Sequence, residues 1–175
     1  MKHFRIEIKW ALIFSLMTLG WILLERSLGL HGEHVEKHAT ITNFVALPSI
    51  IIFVLALLEK RNKFYDGYMT YGEGFITGLK ITFIVMLLSP AVNYLALEVV
   101  SPNYLENIGS YAVDNGLLTQ EQAQITFSLP SYILQGLIGA AMMGFLTSAI
   151  VAIFTRRSPK AAPPNQTGSK KFSNK

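Results

Sequence analysis

Four long stretches of this chain carry almost no charge, and they constrain its fold more than any motif does. A helix rising 1.5 Å per residue needs roughly 20 mainly apolar residues to cross about 30 Å of hydrocarbon. The windows at about 6–24, 40–58, 75–97 and 129–154 meet that need, and Lys80 is the one charge in the third. In lipid the backbone finds no water to bond with, so each window should be a helix; barrel strands would be shorter and alternating. The expected fold class is all-α: an integral membrane bundle of four transmembrane helices over residues 1–157, with an extra short helix or two in the second outer loop. Residues 158–175, rich in Pro, Lys, Ser and Asn, are expected to form a disordered cytoplasmic tail.

Charge is both scarce and uneven. Charged residues make up 15% of the chain, against about a quarter in soluble domains. Lys2, Arg5, Lys9, Lys60, Arg61, Lys63, Lys80, Arg156, Arg157, Lys160, Lys170, Lys171 and Lys175 would lie on one side of the membrane, and only Arg26 and Lys37 on the other. The positive-inside rule then places both termini in the cytoplasm. The net charge of +4 therefore reads as topology and attraction to anionic membrane lipids, not as nucleic-acid binding. The basic, apolar N-terminus lacks a small-x-small site after its apolar run, so an uncleaved first helix is expected rather than a signal peptide. Without cysteine there are no disulfides, thiolate nucleophiles, iron–sulfur clusters or zinc–thiolate sites.

The loops carry the polar residues. The first outer loop, Glu25 to Ala39, holds His31, His34 and His38, with Glu33 and Glu36 nearby. If residues 32–39 are helical, the three histidines fall near one face and a divalent metal is within their chemistry. No supporting outer shell is visible in the sequence, so the reading adopted is solvated loop histidines, with no metal and no cofactor assigned. The inner stretch Glu59 to Lys80 interleaves Phe64, Tyr65, Tyr68, Tyr71 and Phe75 with charges, as suits the headgroup level. Lys80, close to a helix end, is expected to snorkel. In the second outer loop Pro102 is expected to open a short helix, and Asp114-Asn115-Gly116 reads as a turn. Thr119 and Gln122 fit a capping box, and Pro130 marks a kink or a restart.

Inside the spans the strongest signal is a stripe of small residues, Gly136, Ala140, Gly144, Ser148 and Ala152, which lets backbones approach. It is expected to pack within its own bundle rather than against another subunit, and the third span carries a shorter counterpart in Gly74, Gly78 and Thr82. Thr82, Ser89, Asn93 and Gln135 are the candidates for a polar intramembrane site; interhelical hydrogen bonding is the plainer use of such residues. No Asp or Glu is expected deep in a span, which argues against transport coupled through a buried carboxylate.

No nucleophile elbow, HExxH or P-loop occurs, and Glu98 and Glu106 look like solvated loop acids, so no catalytic residue is assigned and the chain is not read as an enzyme. The polar first loop, the MetThrTyrGlyGluGlyPheIleThrGly segment at 69–78, Pro102 in SerProAsnTyr, GlnGluGln at 120–122 and the small-rich last span ending ThrArgArg at 155–157 point to a family. Together they resemble the uncharacterised four-span membrane proteins of Bacteroidota, a domain-of-unknown-function family. The resemblance implies an inner-membrane protein and supplies no activity, substrate or site. The expected function is a non-enzymatic scaffold or accessory subunit, contacting lipids and another membrane protein or a second copy of itself. The alternative is a small oligomeric channel or transporter with its path near Thr82, Asn93 and Gln135.

Overall fold

The computed structural model describes residues 4–158. Apart from Ser158, the tail expected to be disordered lies outside the described residues. The chain forms α1 (Arg5–Ser27), α2 (Val35–Ile41), α3 (Ala46–Phe64), α4 (Tyr71–Tyr94), α5 (Tyr104–Asp114), α6 (Gln120–Thr126) and α7 (Leu129–Thr155). A 3-10 turn, Thr42–Val45, joins α2 to α3, and a π turn, Leu95–Val100, prolongs α4. Four rods result, Arg5–Ser27, Val35–Phe64, Tyr71–Val100 and Leu129–Thr155, each long and apolar enough to cross a membrane. The two short helices expected between the third and fourth rods are α5 and α6.

The sequence explains most of the boundaries. Thr70 caps α4 through a box with Glu73, whose carboxylate accepts from the Thr70 N–H at 2.8 Å. Thr119 and Gln122 form the corresponding box on α6. Pro130 sits in the first turn of α7, where its missing N–H costs nothing, so it starts a helix instead of kinking one. Pro102 does not open α5 as expected. It lies in a turn closed by the Tyr104 N–H on the Ser101 carbonyl, 3.0 Å, and the helix begins two residues later. Pro90 lies inside α4, and the π turn follows in the same rod.

Helices α4 and α7 make the most intimate pair. A Cβ built on Gly78 would stand 3.1 Å from the Ser148 Cα, and one on Gly144 would stand 2.9 Å from the Thr82 Cβ. Gly74 faces Ala152, and Gly136 faces Asn93. The small stripe of α7 is thus used inside the bundle, against α4. Beside this pair lies a compact apolar layer of Ala11, Phe53, Ala56, Leu57, Met69, Ile81, Val151 and Ala152. Elsewhere the packing is inside out. Only 11–28% of each apolar window is buried, and side chains such as Leu16, Leu87 and Phe154 point away from the protein. Apolar surface of that extent needs an apolar solvent.

At the terminal end of the bundle, where α1 begins and α7 finishes, charges meet inside the protein. Glu7 and Lys60 are both buried and form an ion pair at 2.8 Å. Glu7 lies in the first turn of α1, at the end of its rod rather than deep in it, and Lys60 comes from near the end of α3. Lys9 also pairs with Glu59, which accepts from the Trp10 indole at 2.7 Å. Arg61 donates to the Thr155 carbonyl at 3.0 Å, placing a cation at the C-terminus of α7. Met69 and Arg157 exchange two backbone hydrogen bonds, tying the residues just past α7 to the α3–α4 turn. Lys80 is half-buried, with its ammonium 5.2 Å from the Phe4 ring centroid.

Two outcomes follow for stability in detergent, read by SDS-titrated unfolding. Gly78→Leu and Gly144→Leu should each cost about 1–3 kcal/mol through overpacking, whereas Gly139→Leu, where a Cβ meets nothing within 4 Å, should stay within about 0.5 kcal/mol. Lys60→Met should cost about 3–5 kcal/mol by stranding the Glu7 carboxylate, and adding Glu7→Met should recover most of that loss.

Candidate functional site

The opposite end of the bundle, under α2, α5 and α6, gathers a second set of buried ionisable groups. Its geometry begins with the C-terminus of α1. The Leu30 N–H bonds the Glu25 carbonyl and the Gly29 N–H bonds the Arg26 carbonyl, both at 3.0 Å. That pair of bonds is a Schellman closure, and it needs a left-handed residue, which Gly29 supplies at φ 75°. The chain reverses there. Leu30 turns back into the protein, 1% exposed, and His31 follows it. The Asn107 side chain of α5 then holds the His31 carbonyl at 2.7 Å.

Residues 31–34 are turns, and α2 starts only at Val35. The three histidines therefore do not share one helical face. His34 is about half exposed and lies near Glu36 at 3.9 Å. His31, in the turn, and His38, on α2, converge instead on Glu25 at the end of α1. The Glu25 Oε2 atom is 3.5 Å from His31 Nε2 and 3.6 Å from His38 Nε2. Glu33 takes no part in this cluster, and neither does Glu36.

Each of the three side chains has surrounding partners. Trp21, one helical turn before Glu25, donates its indole N–H to Glu25 Oε1 at 2.7 Å. The His31 Nδ1 atom is 2.6 Å from the Ser101 hydroxyl, which the π turn delivers at the end of the α4 rod. The Tyr104 ring packs against both imidazoles, with centroids 4.6 Å from His31 and 5.1 Å from His38. Its hydroxyl accepts from Tyr132 at 3.3 Å. Burial, with Tyr132 and Glu25 close by, pushes the Tyr104 phenol above the usual tyrosine range, so it remains a neutral hydroxyl.

These groups wall a cavity of about 180 Å³, which also touches Thr18, Thr42 and Asn93. A second cavity, about 220 Å³, adjoins it deeper between α1, α4 and α7, and shares Thr18 and Asn93 in its wall. Ser89, Gly136 and Ala140 line this lower chamber, and Asn93 donates to the Ser89 hydroxyl at 3.0 Å. Ser15 also lines it, with its hydroxyl buried and unpaired among the described residues.

The sequence-predicted polar set therefore divides. Ser89 and Asn93 face the lower chamber. Thr82 bonds the Gly78 carbonyl at 3.0 Å and packs on Gly144. Gln135 belongs to neither cavity wall, because its amide is used on the Thr126 carbonyl at 3.0 Å. Sequence reasoning missed Glu25, Trp21, Ser101 and Tyr104. The available signal was the four-residue spacing of Trp21 and Glu25, which puts an indole donor and a carboxylate on one helix face if the first span runs past Leu24.

The fold defines a class: a helical membrane protein with four helices long and apolar enough to cross a bilayer and a buried carboxylate–imidazole cluster beneath a helical cap. Within that class the chain belongs to the family described as "Protein of unknown function (DUF4199)", whose profile matches residues 9–157. No curated protein and no solved structure matches it.

Gly29→Ala tests the turn that builds the cluster. Forcing a Cβ into the left-handed region should lower stability by about 1 kcal/mol, read as an earlier midpoint in SDS-titrated unfolding.

Proposed function

We propose that this is a non-enzymatic protein of the bacterial inner membrane that acts by binding, holding a small polar ligand in the paired chambers beneath its cap. Both termini lie in the cytoplasm in this reading, and the cap faces the periplasm, in keeping with the distribution of basic residues. The observation that carries the reading is the wall composition. Glu25, His31, His38, Asn93, Thr18 and Ser101 all face cavity space between the helices and beneath the cap. The unpaired Ser15 hydroxyl extends that polarity into the lower chamber.

Two other readings are less well supported. A channel or transporter needs a path through the bundle, and the layer of Ala11, Phe53, Ala56, Leu57, Ile81 and Val151 fills the level toward the terminal end. A scaffold or accessory subunit working through contacts alone could not use the α7 stripe, which α4 already covers. The inner aromatic loop and the cap would be its remaining surfaces.

Native mass spectrometry of the full chain, extracted from its own membranes in mild detergent, tests the reading. The expected result is the 19.5 kDa chain with a retained small mass that Asn93→Leu, at the waist shared by both chambers, removes while helix content is kept. A bare chain would overturn the proposal. A stoichiometric protein partner without a small ligand would replace it with the accessory-subunit reading.

A further inference from the structure

We propose that Glu25, His31 and His38 coordinate one divalent transition-metal ion, with zinc the best match to the donor set. The inference rests on reading the chamber as a ligand site, and it names the ligand of its upper half.

The spacing is the first argument. The distances from Glu25 Oε2 to the two Nε2 atoms, 3.5 and 3.6 Å, are those of loose ion pairs, longer than a well-formed N–H···O hydrogen bond, which spans about 2.7–3.2 Å. They match co-ligands of one ion. Donors bound to zinc at about 2.0–2.1 Å in a tetrahedron stand about 3.3 Å from one another. The three donor atoms already lie within 4.8 Å of one another, so small side-chain rotations bring them to one centre.

The second argument is the surrounding shell, which metal sites use to orient their ligands. With Nδ1–H donating to the Ser101 hydroxyl, His31 presents its Nε2 lone pair to the centre. The Trp21 indole occupies Glu25 Oε1, leaving Oε2 as the ligand atom. Tyr104 clamps both rings from one side. The ligands come from three separate places, the end of α1, the following turn and α2, so their meeting is not a by-product of helical periodicity.

The third argument is chemical. Two imidazoles and one carboxylate suit zinc and its first-row neighbours, while calcium and magnesium prefer oxygen donors. All three side chains are largely buried, at 4%, 8% and 12% exposure for Glu25, His31 and His38. A carboxylate in that setting gains most from a cation held at its oxygen. The cavity beside the cluster leaves room for a fourth, exchangeable ligand.

The test uses the full chain, purified in detergent through a tag without histidine and stripped with a chelator. Cobalt titration should give the intense visible absorption of a tetrahedral site, saturating at one ion per chain and displaced by zinc but not by calcium. Glu25→Gln, His31→Ala and His38→Ala should each weaken zinc binding at least tenfold in calorimetry. Ser101→Ala leaves all three ligands in place and should still weaken it about 10–100-fold. His34→Ala and Glu36→Gln should bind like the parent. Circular dichroism and elution volume establish that each variant is folded. Parent binding no tighter than that of the folded Glu25→Gln variant, or equal losses in His34→Ala, would overturn the metal assignment. If zinc fails in this way while the retained mass sensitive to Asn93→Leu persists, only the metal assignment falls. If that mass is also absent, the chamber reading falls with it.

Discussion

The close approach of α4 and α7 is the contact on which the rest of this protein depends. Lipid gives apolar side chains no reason to leave it, so helices in a bilayer gain by packing more densely than acyl chains can. Small residues on both partners achieve this, with Gly74 against Ala152, Gly78 against Ser148 and Gly144 against Thr82. Once the two backbones are this near, α1 and α3 must pack against a narrow ridge. They do so firmly at the terminal end, through Ala11, Phe53, Ala56 and Leu57. Toward the cap the fit between α1, α4 and α7 loosens, and the two chambers occupy the difference.

The two ends treat buried charge differently. At the terminal end Glu7 meets Lys60 at 2.8 Å, a pairing that compensates both charges within the protein. At the cap end the Glu25 carboxylate meets two imidazoles and an indole, none of which carries a fixed positive charge. The first arrangement suits a structural tie. The second suits a site that exchanges a ligand, and its groups come from the ends of the α1 and α4 rods, from the short helices α2 and α5, and from the turns between them.

The fold was legible in the sequence because its determinants are local and repetitive. Apolar runs of membrane length, the small residues spaced by four from Gly136 to Ala152, and the Thr119–Gln122 box each declare themselves within one window. The site was mostly hidden because its parts are distant. Glu25 ends one rod, His38 lies on a helix past a Schellman turn, and Ser101 follows a π turn that no spacing rule announces. His34 misled, since a continuous helix through residues 32–39 would have grouped it with His31 and His38, and Gly29 places the reversal ahead of that helix. Gln135 misled for a related reason. Its neighbour Gly136 faces Asn93 across the helix pair, so Gln135 itself is rotated away toward Thr126.

The Glu7–Lys60 pair also bears on how the chain enters the bilayer. Glu7 emerges with the first apolar segment, and its counter-charge is carried by the second. A lone carboxylate is costly in hydrocarbon, so the pair favours entry of the two helices together as a hairpin. In that hairpin the antiparallel rod Val35–Phe64 brings Lys60 back to the end of the bundle where Glu7 lies. The register of the two helices is thereby tied to a single pair of charges.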